Sequence, residues 1–204
     1  MAGAAPGEPS FQSGTSAGYD VVGAGLKTKL PQSNRGLTVD FLLLTDADLT
    51  EMRQTPKRIV NPSARWVSKG SHRQKDFNVI AERDPEEKYR VFLRISEHNE
   101  SVFSAGIMRI FSSGETLVLA RYNGGYHPHR NVIERTKVPA VCHKHTATER
   151  YIQAGHDPDG FAEPITGYNT VDGAFEMLQR ECGFDQAPPM IPPAPTPIQP
   201  DLFD

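Results

Sequence analysis

The centre of the chain contains the stretch that decides the fold. Residues 89–123 read YRVFLRISEHNESVFSAGIMRIFSSGETLVLARYN. Apolar residues alternate with polar ones at its start, and a period of two is typical of a strand with one buried face. The alternating apolar positions there are Tyr89, Val91, Leu93 and Ile95. With the segment just before it, the stretch predicts four strands, over 76–83, 89–97, 102–112 and 115–123.

The links between these predicted strands are short and rich in turn residues. They cover residues 84–87, 98–100 and 112–114. Links of this length join neighbouring antiparallel strands as hairpins. The sequence therefore predicts an antiparallel sheet.

Helix-capping signals flank this sheet region on both sides. A Ser or Thr followed three residues later by an acidic residue can satisfy the free N–H groups at a helix start. This pattern is present at Thr45 with Asp48, and at Thr146 with Glu149 for a helix that ends at Gly155. Thr170 alone is a third predicted cap, for a helix that runs through Arg180. We therefore expect an α+β fold, with an antiparallel four- to six-stranded sheet and two or three short helices packed on one face.

The two ends of the chain differ in composition from its centre. Residues 1–36 are rich in Gly, Ala and Ser and have few bulky apolar residues, which predicts a disordered N-terminal arm. Residues 186–204 contain seven prolines, which predicts a disordered Pro-rich tail. A single α+β domain is expected over 37–185.

Hydropathy and cysteine content indicate the compartment. No apolar run approaches the roughly 18 residues of a membrane span, and no secretory signal is present. Cys142 and Cys182 are too few for a disulfide framework. We expect a cytoplasmic protein with no membrane partner.

Charge is unevenly distributed, although the formal net charge is only −3. Residues 52–75 contain seven basic residues and no acidic one, whereas nine carboxylates face one arginine from residue 157 onward. A cationic half is typical of a protein that presents one face to a polyanion. The alternative is that the basic segment is a loop exposed to solvent with no binding role. The predicted nucleic-acid-binding residues are Lys57, Arg58, Arg65, Trp66, Lys69, Arg73 and Lys75, with Trp66 stacking on a base.

Four of the seven histidines form two His-x-His pairs in the stretch from Arg121 to Tyr151. The pairs are His127 with His129 and His143 with His145. Residues two apart in an extended chain point the same way, so each pair would present two imidazoles on one face. The two pairs could converge on one phosphate or on one metal.

These residue types fit a ribonuclease site that needs no metal or other cofactor. One imidazole would deprotonate the 2′-hydroxyl, a second would protonate the leaving 5′-oxygen, and a cation would stabilise the phosphate. The predicted catalytic residues are His127, His129, His143, His145, Arg121, Arg150 and Tyr122. Two alternatives remain open: a metal centre, since four imidazoles suit zinc, iron or manganese, and histidines that only hydrogen-bond to backbone.

The motifs of this stretch resemble those of a family of uncharacterised bacterial proteins associated with mobile elements. The motifs are Arg121-Tyr122-Asn123-Gly124 with His127, His129 and Asn131, and His143-x-His145 with Thr148-Glu149-Arg150-Tyr151. A strand that enters a His-rich turn, followed by a His-x-His strand, is also similar to the TumE-type toxins of toxin–antitoxin modules. That similarity implies a small ribonuclease-like toxin that acts on RNA rather than DNA and is neutralised by an antitoxin protein. The four histidines are the matching positions.

The C-terminal peptide resembles the motif by which bacterial polymerases and repair proteins dock on the DNA polymerase sliding clamp. It reads Gln199-x-Asp201-Leu202-Phe203. Leu202 and Phe203 would fill an apolar pocket, and Gln199 would hydrogen-bond at its rim. A second interpretation is therefore a non-catalytic adaptor that binds nucleic acid by its basic segment and the clamp by its tail. An incidental acidic tail is the alternative.

Overall fold

The computed structural model describes residues 39–184, which form an α+β fold as the sequence predicts. The helices are α1 (Asp46–Gln54), α2 (Glu149–Gln153) and α3 (Val171–Glu181). The strands are β1 (Lys57–Ile59), β2 (Val67–Ser68), β3 (His72–Ala81), β4 (Lys88–Ser96), β5 (Phe103–Ile110), β6 (Thr116–Asn123), β7 (His129–Asn131), β8 (Thr136–Val138), β9 (His143–Thr146) and β10 (Phe161–Pro164). The predicted arm, tail and C-terminal peptide lie outside the described residues.

The main sheet has eight strands in the described part of the chain, more than the four to six expected. Its order is β1-β3-β4-β5-β6-β9-β10, with β2 also paired to β3, and all these pairings are antiparallel. The four predicted strands correspond to β3 to β6. The additional strands have only two to four residues each, which is too short for an alternating pattern to be recognised.

The two faces of this sheet differ because the helices pack on one of them. On the face that we call the helix face, α3 packs against β4, β5 and β6, and the ring of Phe175 stacks on Phe77 with centroids 5.3 Å apart. The alternating residues Tyr89, Val91 and Leu93 are buried in this core, as predicted. The opposite face carries the histidines of β9, His143 and His145.

Two of the three predicted helix caps are present, and one is wrong. Thr45 and Asp48 form a capping box on α1, and the Thr170 hydroxyl accepts a hydrogen bond from the first turn of α3. Thr146, in contrast, is the last residue of β9, because it pairs with both neighbouring strands of the sheet. Helix α2 begins instead after Thr148, whose side chain makes no capping hydrogen bond.

Cysteines and hydropathy give two further observations. Cys142 and Cys182 are free thiols, so no disulfide joins the described elements. Residues 39–184 contain no helix of the length and apolar character needed to cross a membrane.

Candidate functional site

Strand β9 places His143 and His145 on the face of the sheet opposite the helices. In the register with β6, His143 lies across from Asn123 and His145 across from Arg121. Directly opposed residues of an antiparallel pair share a face, so these four side chains lie together. Both histidines are buried, with exposures of 0% and 3%. The predicted common face of this pair is therefore confirmed.

The hairpin formed by β7 and β8 brings His129 to the same face. The hairpin is fastened to edge strand β10 by Asn131, whose amide nitrogen donates to the Ala162 carbonyl at 2.8 Å. The Asn131 carbonyl oxygen accepts the Ala162 N–H at 2.8 Å. One side chain thus substitutes for a pair of backbone hydrogen bonds and holds the hairpin against the sheet.

The two histidine pairs converge into one group, which we call the histidine cluster. Ring centroids are 4.6 Å apart for His129 and His145, 5.0 Å for His143 and His145, and 6.0 Å for His129 and His143. The exposed His127 lies at the rim, with its ring 6.1 Å from that of His143. Only His127 and the half-buried His129 are open to solvent.

Each of the three inner histidines hydrogen-bonds one ring nitrogen to a backbone carbonyl. His143 Nδ1 lies 2.8 Å from the Val141 oxygen, and His145 Nδ1 lies 2.9 Å from the Asp159 oxygen. His129 Nε2 lies 2.9 Å from the Gly160 oxygen. A carbonyl only accepts, so these ring nitrogens carry the proton and the second nitrogen of each neutral ring is a lone-pair acceptor. Three of the four histidines therefore hydrogen-bond to backbone, as the structural alternative predicts. In each of these rings the second nitrogen remains unprotonated and basic.

The surroundings of the cluster favour neutral imidazoles. Burial lowers the pKa of His129 and His143, and it lowers the pKa of His145 well below the usual value. The positive charge of Arg121 acts in the same direction on all three rings. At neutral pH the inner rings are therefore bases and not proton donors.

Arg121 and Asp159 form an ion pair beside the rings. Arg121 Nη2 lies 3.1 Å from Asp159 Oδ2, and the arginine side chain is 26% exposed. Burial raises the pKa of Asp159, and the Arg121 charge opposes that shift. Arg121 Nε and Asn123 Oδ1 are buried without a hydrogen-bond partner among the described residues. A partly exposed cation therefore lies next to the cluster, together with a buried donor and a buried acceptor that have no partner among residues 39–184.

The metal alternative finds no ligand set in the described part of the chain. Within residues 39–184, no group of three or more His, Cys, Asp or Glu side chains is arranged to hold a metal ion. The three inner rings are oriented by their separate carbonyl partners.

Two of the predicted catalytic residues lie apart from the cluster. Tyr122 points to the helix face, where its hydroxyl donates to Glu181 Oε2 at 2.7 Å. Arg150 Nε lies 2.7 Å from Glu134 Oε1. Tyr122 is separated from Arg121 by the alternation of β6, and Arg150 lies on α2 beyond the end of β9. The structure brings Arg121, but neither Tyr122 nor Arg150, to the four histidines.

The predicted nucleic-acid-binding segment is exposed only in part. Lys57 is fully buried, and its ammonium donates to the carbonyls of Arg53, Thr55 and Cys182 at 2.9, 2.7 and 3.2 Å. Burial lowers the pKa of Lys57 to about 8. It is a structural residue and cannot reach a phosphate.

Trp66 is also less available than expected. It is half-buried against the core, and the Arg73 guanidinium lies 5.7 Å from its ring centroid. Lys75 is half-buried, with its ammonium 4.9 Å from the Phe77 ring centroid. The exposed basic residues of the segment are Arg58, Arg65, Lys69 and Arg73.

The basic segment and the histidine cluster lie toward opposite edges of the sheet. The segment belongs to β1, β2 and β3, whereas the three inner histidines of the cluster lie on β7 and β9, and β9 is placed between β6 and β10 in the sheet. Four strand spacings separate β3 from β9, or about 20 Å. The structure does not bring the two predicted sites together.

Four residues that shape the cluster were not among the predicted site residues, although Asn123 and Asn131 belong to the motifs that carry the family resemblance. The four are Asn123, Asn131, Asp159 and Gly160. A β-carbon on Gly160 would come within 2.5 Å of the Tyr151 ring, so glycine is required where this carbonyl meets His129. The run Asp157-Pro158-Asp159-Gly160 is a turn signal that could have marked this loop, although not its partners.

Comparison with known proteins adds no relative. The chain matches no protein-family model, no curated protein and no solved structure.

Proposed function

We propose that this protein acts on RNA and that the histidine cluster is a metal-independent ribonuclease site. The observation that carries the proposal is the convergence of four imidazoles beside Arg121, with the inner rings made neutral by burial. Neutral imidazoles are general bases, and a partly exposed guanidinium is a ligand for phosphate. The resemblance to TumE-type toxins supports the same reaction, with an antitoxin protein as the partner.

Exposure assigns the roles within the cluster. His129 is the base, because it is half-buried and its Nδ1 is free of the backbone. His127 at the rim is the acid, and Arg121 is the phosphate ligand. His129 would remove the 2′-hydroxyl proton, the 2′-oxygen would attack phosphorus, and the 5′-oxygen would leave with a proton from His127. His143 and His145 are positioning residues, because they are buried and pack against His129.

RNA cleavage by the full-length chain in the presence of a chelator tests this proposal. We expect cleavage to leave a 2′,3′-cyclic phosphate and to be blocked by a 2′-deoxy nucleotide at the cleaved position. His129→Ala should lower the rate by about 10²- to 10⁴-fold, the range of a lost acid–base group. The measurement is the single-turnover rate on a labelled oligonucleotide.

The matched control is His98→Ala, which removes an exposed histidine in the turn between β4 and β5. It should cleave as the wild type does. Equal rates for wild type and His129→Ala would contradict the proposal. Cleavage that appears only with added metal would replace it by the metal alternative.

The burial of His143 and His145 favours a second candidate, a nucleic-acid-binding protein without catalysis. The exposed Arg58, Arg65 and Lys69 would supply phosphate contacts, and the C-terminal peptide would contact the sliding clamp. Binding to phosphates weakens steeply as salt rises because counterions are released. Salt-dependent RNA binding without any cleavage would support this candidate over the first.

A further inference from the structure

A cleft opens on the helix face, directly behind the histidine cluster. Its volume is about 810 Å³, within the size range of small-molecule sites. Its floor is formed by β6, β9 and β10, and its walls are α1, the start of α2 and the end of α3. Four basic side chains line it, namely Arg53, Lys144, Arg150 and Arg180.

Two of these four cations already have carboxylate partners. Lys144 Nζ lies 2.5 Å from Glu181 Oε2, and Arg150 is paired with Glu134. Among residues 39–184, neither Arg53 nor Arg180 has a carboxylate oxygen within 4.0 Å. The cleft therefore holds two cations that are not neutralised by an ion pair in the described part of the chain.

Arg53 is the stronger indication of an anion site, because it is partly buried whereas Arg180 is exposed. Among residues 39–184, the acceptors of its guanidinium are neutral, namely the Ala147 carbonyl at 3.2 Å and the Thr50 hydroxyl at 2.8 Å. The buried ammonium of Lys57 lies behind it, bonded to the Arg53 carbonyl and likewise without a carboxylate partner among the described residues. A buried charge without a counter-charge costs free energy, and a bound anion would offset that cost.

A second observation comes from the hydroxyl of Thr148. This residue lines the cleft, and its Oγ1 is buried without a hydrogen-bond partner among the described residues. It makes no capping bond to α2. Buried polar atoms are nearly always bonded, so an unbonded hydroxyl in a cleft indicates a missing partner. A phosphate oxygen could accept from it.

The acidic residues of the cleft do not cancel this positive charge. Glu181 is occupied by the Tyr122 hydroxyl and by Lys144. Asp46 accepts the backbone N–H of Glu149 at 2.9 Å. Glu163 is exposed at the end of β10. None of their carboxylate oxygens lies within 4.0 Å of an Arg53 guanidinium nitrogen, and the Asp46 charge acts on Arg53 only from a greater distance.

We propose that this cleft binds a small phosphate monoester, with Arg53 as the principal phosphate ligand and the Thr148 hydroxyl as a second donor. A phosphate dianion matches the two unpaired arginines and the hydroxyl better than a single carboxylate does, because it offers more acceptor oxygens. The site is separate from the histidine cluster, since alternate residues of β6 and β9 face the two sites.

Calorimetric titration of the full-length chain tests the proposal with three probes. They are inorganic phosphate, a mononucleotide and the matching nucleoside without phosphate. We expect the two phosphate compounds to bind and the nucleoside not to bind. Arg53→Gln should weaken phosphate binding by about 10- to 100-fold, the value of hydrogen bonds to a charged group. Arg90→Gln, at an exposed arginine on β4, is the control and should bind as the wild type does.

Thr148→Val keeps the test decisive if Arg53→Gln fails to fold. It removes a hydroxyl that makes no hydrogen bond in the described structure, so folding should be intact while phosphate binding falls by about fivefold. Equal affinity of wild type and Thr148→Val, or equal binding of nucleoside and nucleotide, would overturn the proposal. RNA cleavage at the histidine cluster is measured separately, so either proposal can fail without the other.

Discussion

Successive residues of the short strand β9 point to opposite faces of the sheet and so belong to two different sites. In β9, His143 and His145 face the histidine cluster, whereas Lys144 and Thr146 line the cleft on the helix face. The same alternation in β6 divides Arg121 from Tyr122. Because side chains of a strand point alternately to opposite faces, neighbours in sequence serve different sites here. This is the physical reason that the basic and aromatic neighbours of the histidines do not all join them.

Asn131 is the residue on which the position of His129 depends. Asn131→Ala would leave the Ala162 N–H and carbonyl without these bonds, and we expect a loss of about 1–3 kcal/mol in the free energy of unfolding. Urea denaturation measures this loss. Thr136→Val is the control, because it removes only the 3.1 Å contact between Asn131 and the Thr136 hydroxyl. A loss no larger for Asn131→Ala than for the control would show that the hairpin is held by other contacts.

At the scale of elements, the helices differ in how their first turns are satisfied. Thr170 caps α3 through a 3.1 Å hydrogen bond from Gly173, whereas Thr148 precedes α2 without such a bond. Helix α3 also bears the Glu181 carboxylate that holds Tyr122 of β6 and Lys144 of β9. The end of α3 is therefore fixed to the strands that carry the histidine cluster on their other face.

The difference in capping between Thr170 and Thr148 predicts that substitution by alanine lowers the free energy of unfolding at Thr170 but hardly at Thr148. Thr170→Ala should lower the free energy of unfolding by about 1 kcal/mol, the usual contribution of an N-cap hydroxyl. Thr148→Ala should change it by no more than a few tenths of a kcal/mol, since no capping bond is lost. Thermal unfolding of the two variants beside the wild type gives the comparison. Similar losses for both would mean that the capping bond of Thr170 contributes nothing.

At the scale of the whole molecule, the histidine cluster couples stability to pH. Burial lowers the pKa of His129, His143 and His145, so the unfolded chain binds more protons than the folded one below the ordinary value of 6.5. The stability that these neutral rings contribute is fully present above pH 6.5 and is lost as pH falls toward their folded pKa values. Asp159, with its raised pKa, acts with the opposite sign, but it is one group against three.

We expect the free energy of unfolding to fall between about pH 7 and pH 5.5, by up to about 1.4 kcal/mol per pH unit for each ring that stays neutral. The half-buried His129 should contribute less because solvent screens its charge. Urea unfolding at a series of pH values measures this slope. His145→Asn should flatten it, whereas His98→Gln should not. A wild-type stability that is constant over this range would contradict the prediction.

Local pattern was sufficient for the long elements of the fold. Strands β3 to β6 were predictable because each has eight to ten residues, short turn segments separate them, and the start of β4 alternates between apolar and polar residues. Helices α1 and α3 were predictable from the caps Thr45 and Thr170. Strands β1, β2, β9 and β10 were not, because such short segments become strands only through the partners with which they pair.

By itself, the sequence determined the fold class, the antiparallel hairpins and the common face of His143 and His145, because these follow from the spacing of residues along the chain. Only the tertiary structure decided which side chains meet. His145 is positioned by Asp159, fourteen residues further along the chain, and Lys57 is buried by helix ends that contact it. Burial and charge pairing depend on contacts between distant segments, so the neutral histidine cluster and the cleft behind it could not be read from spacing alone.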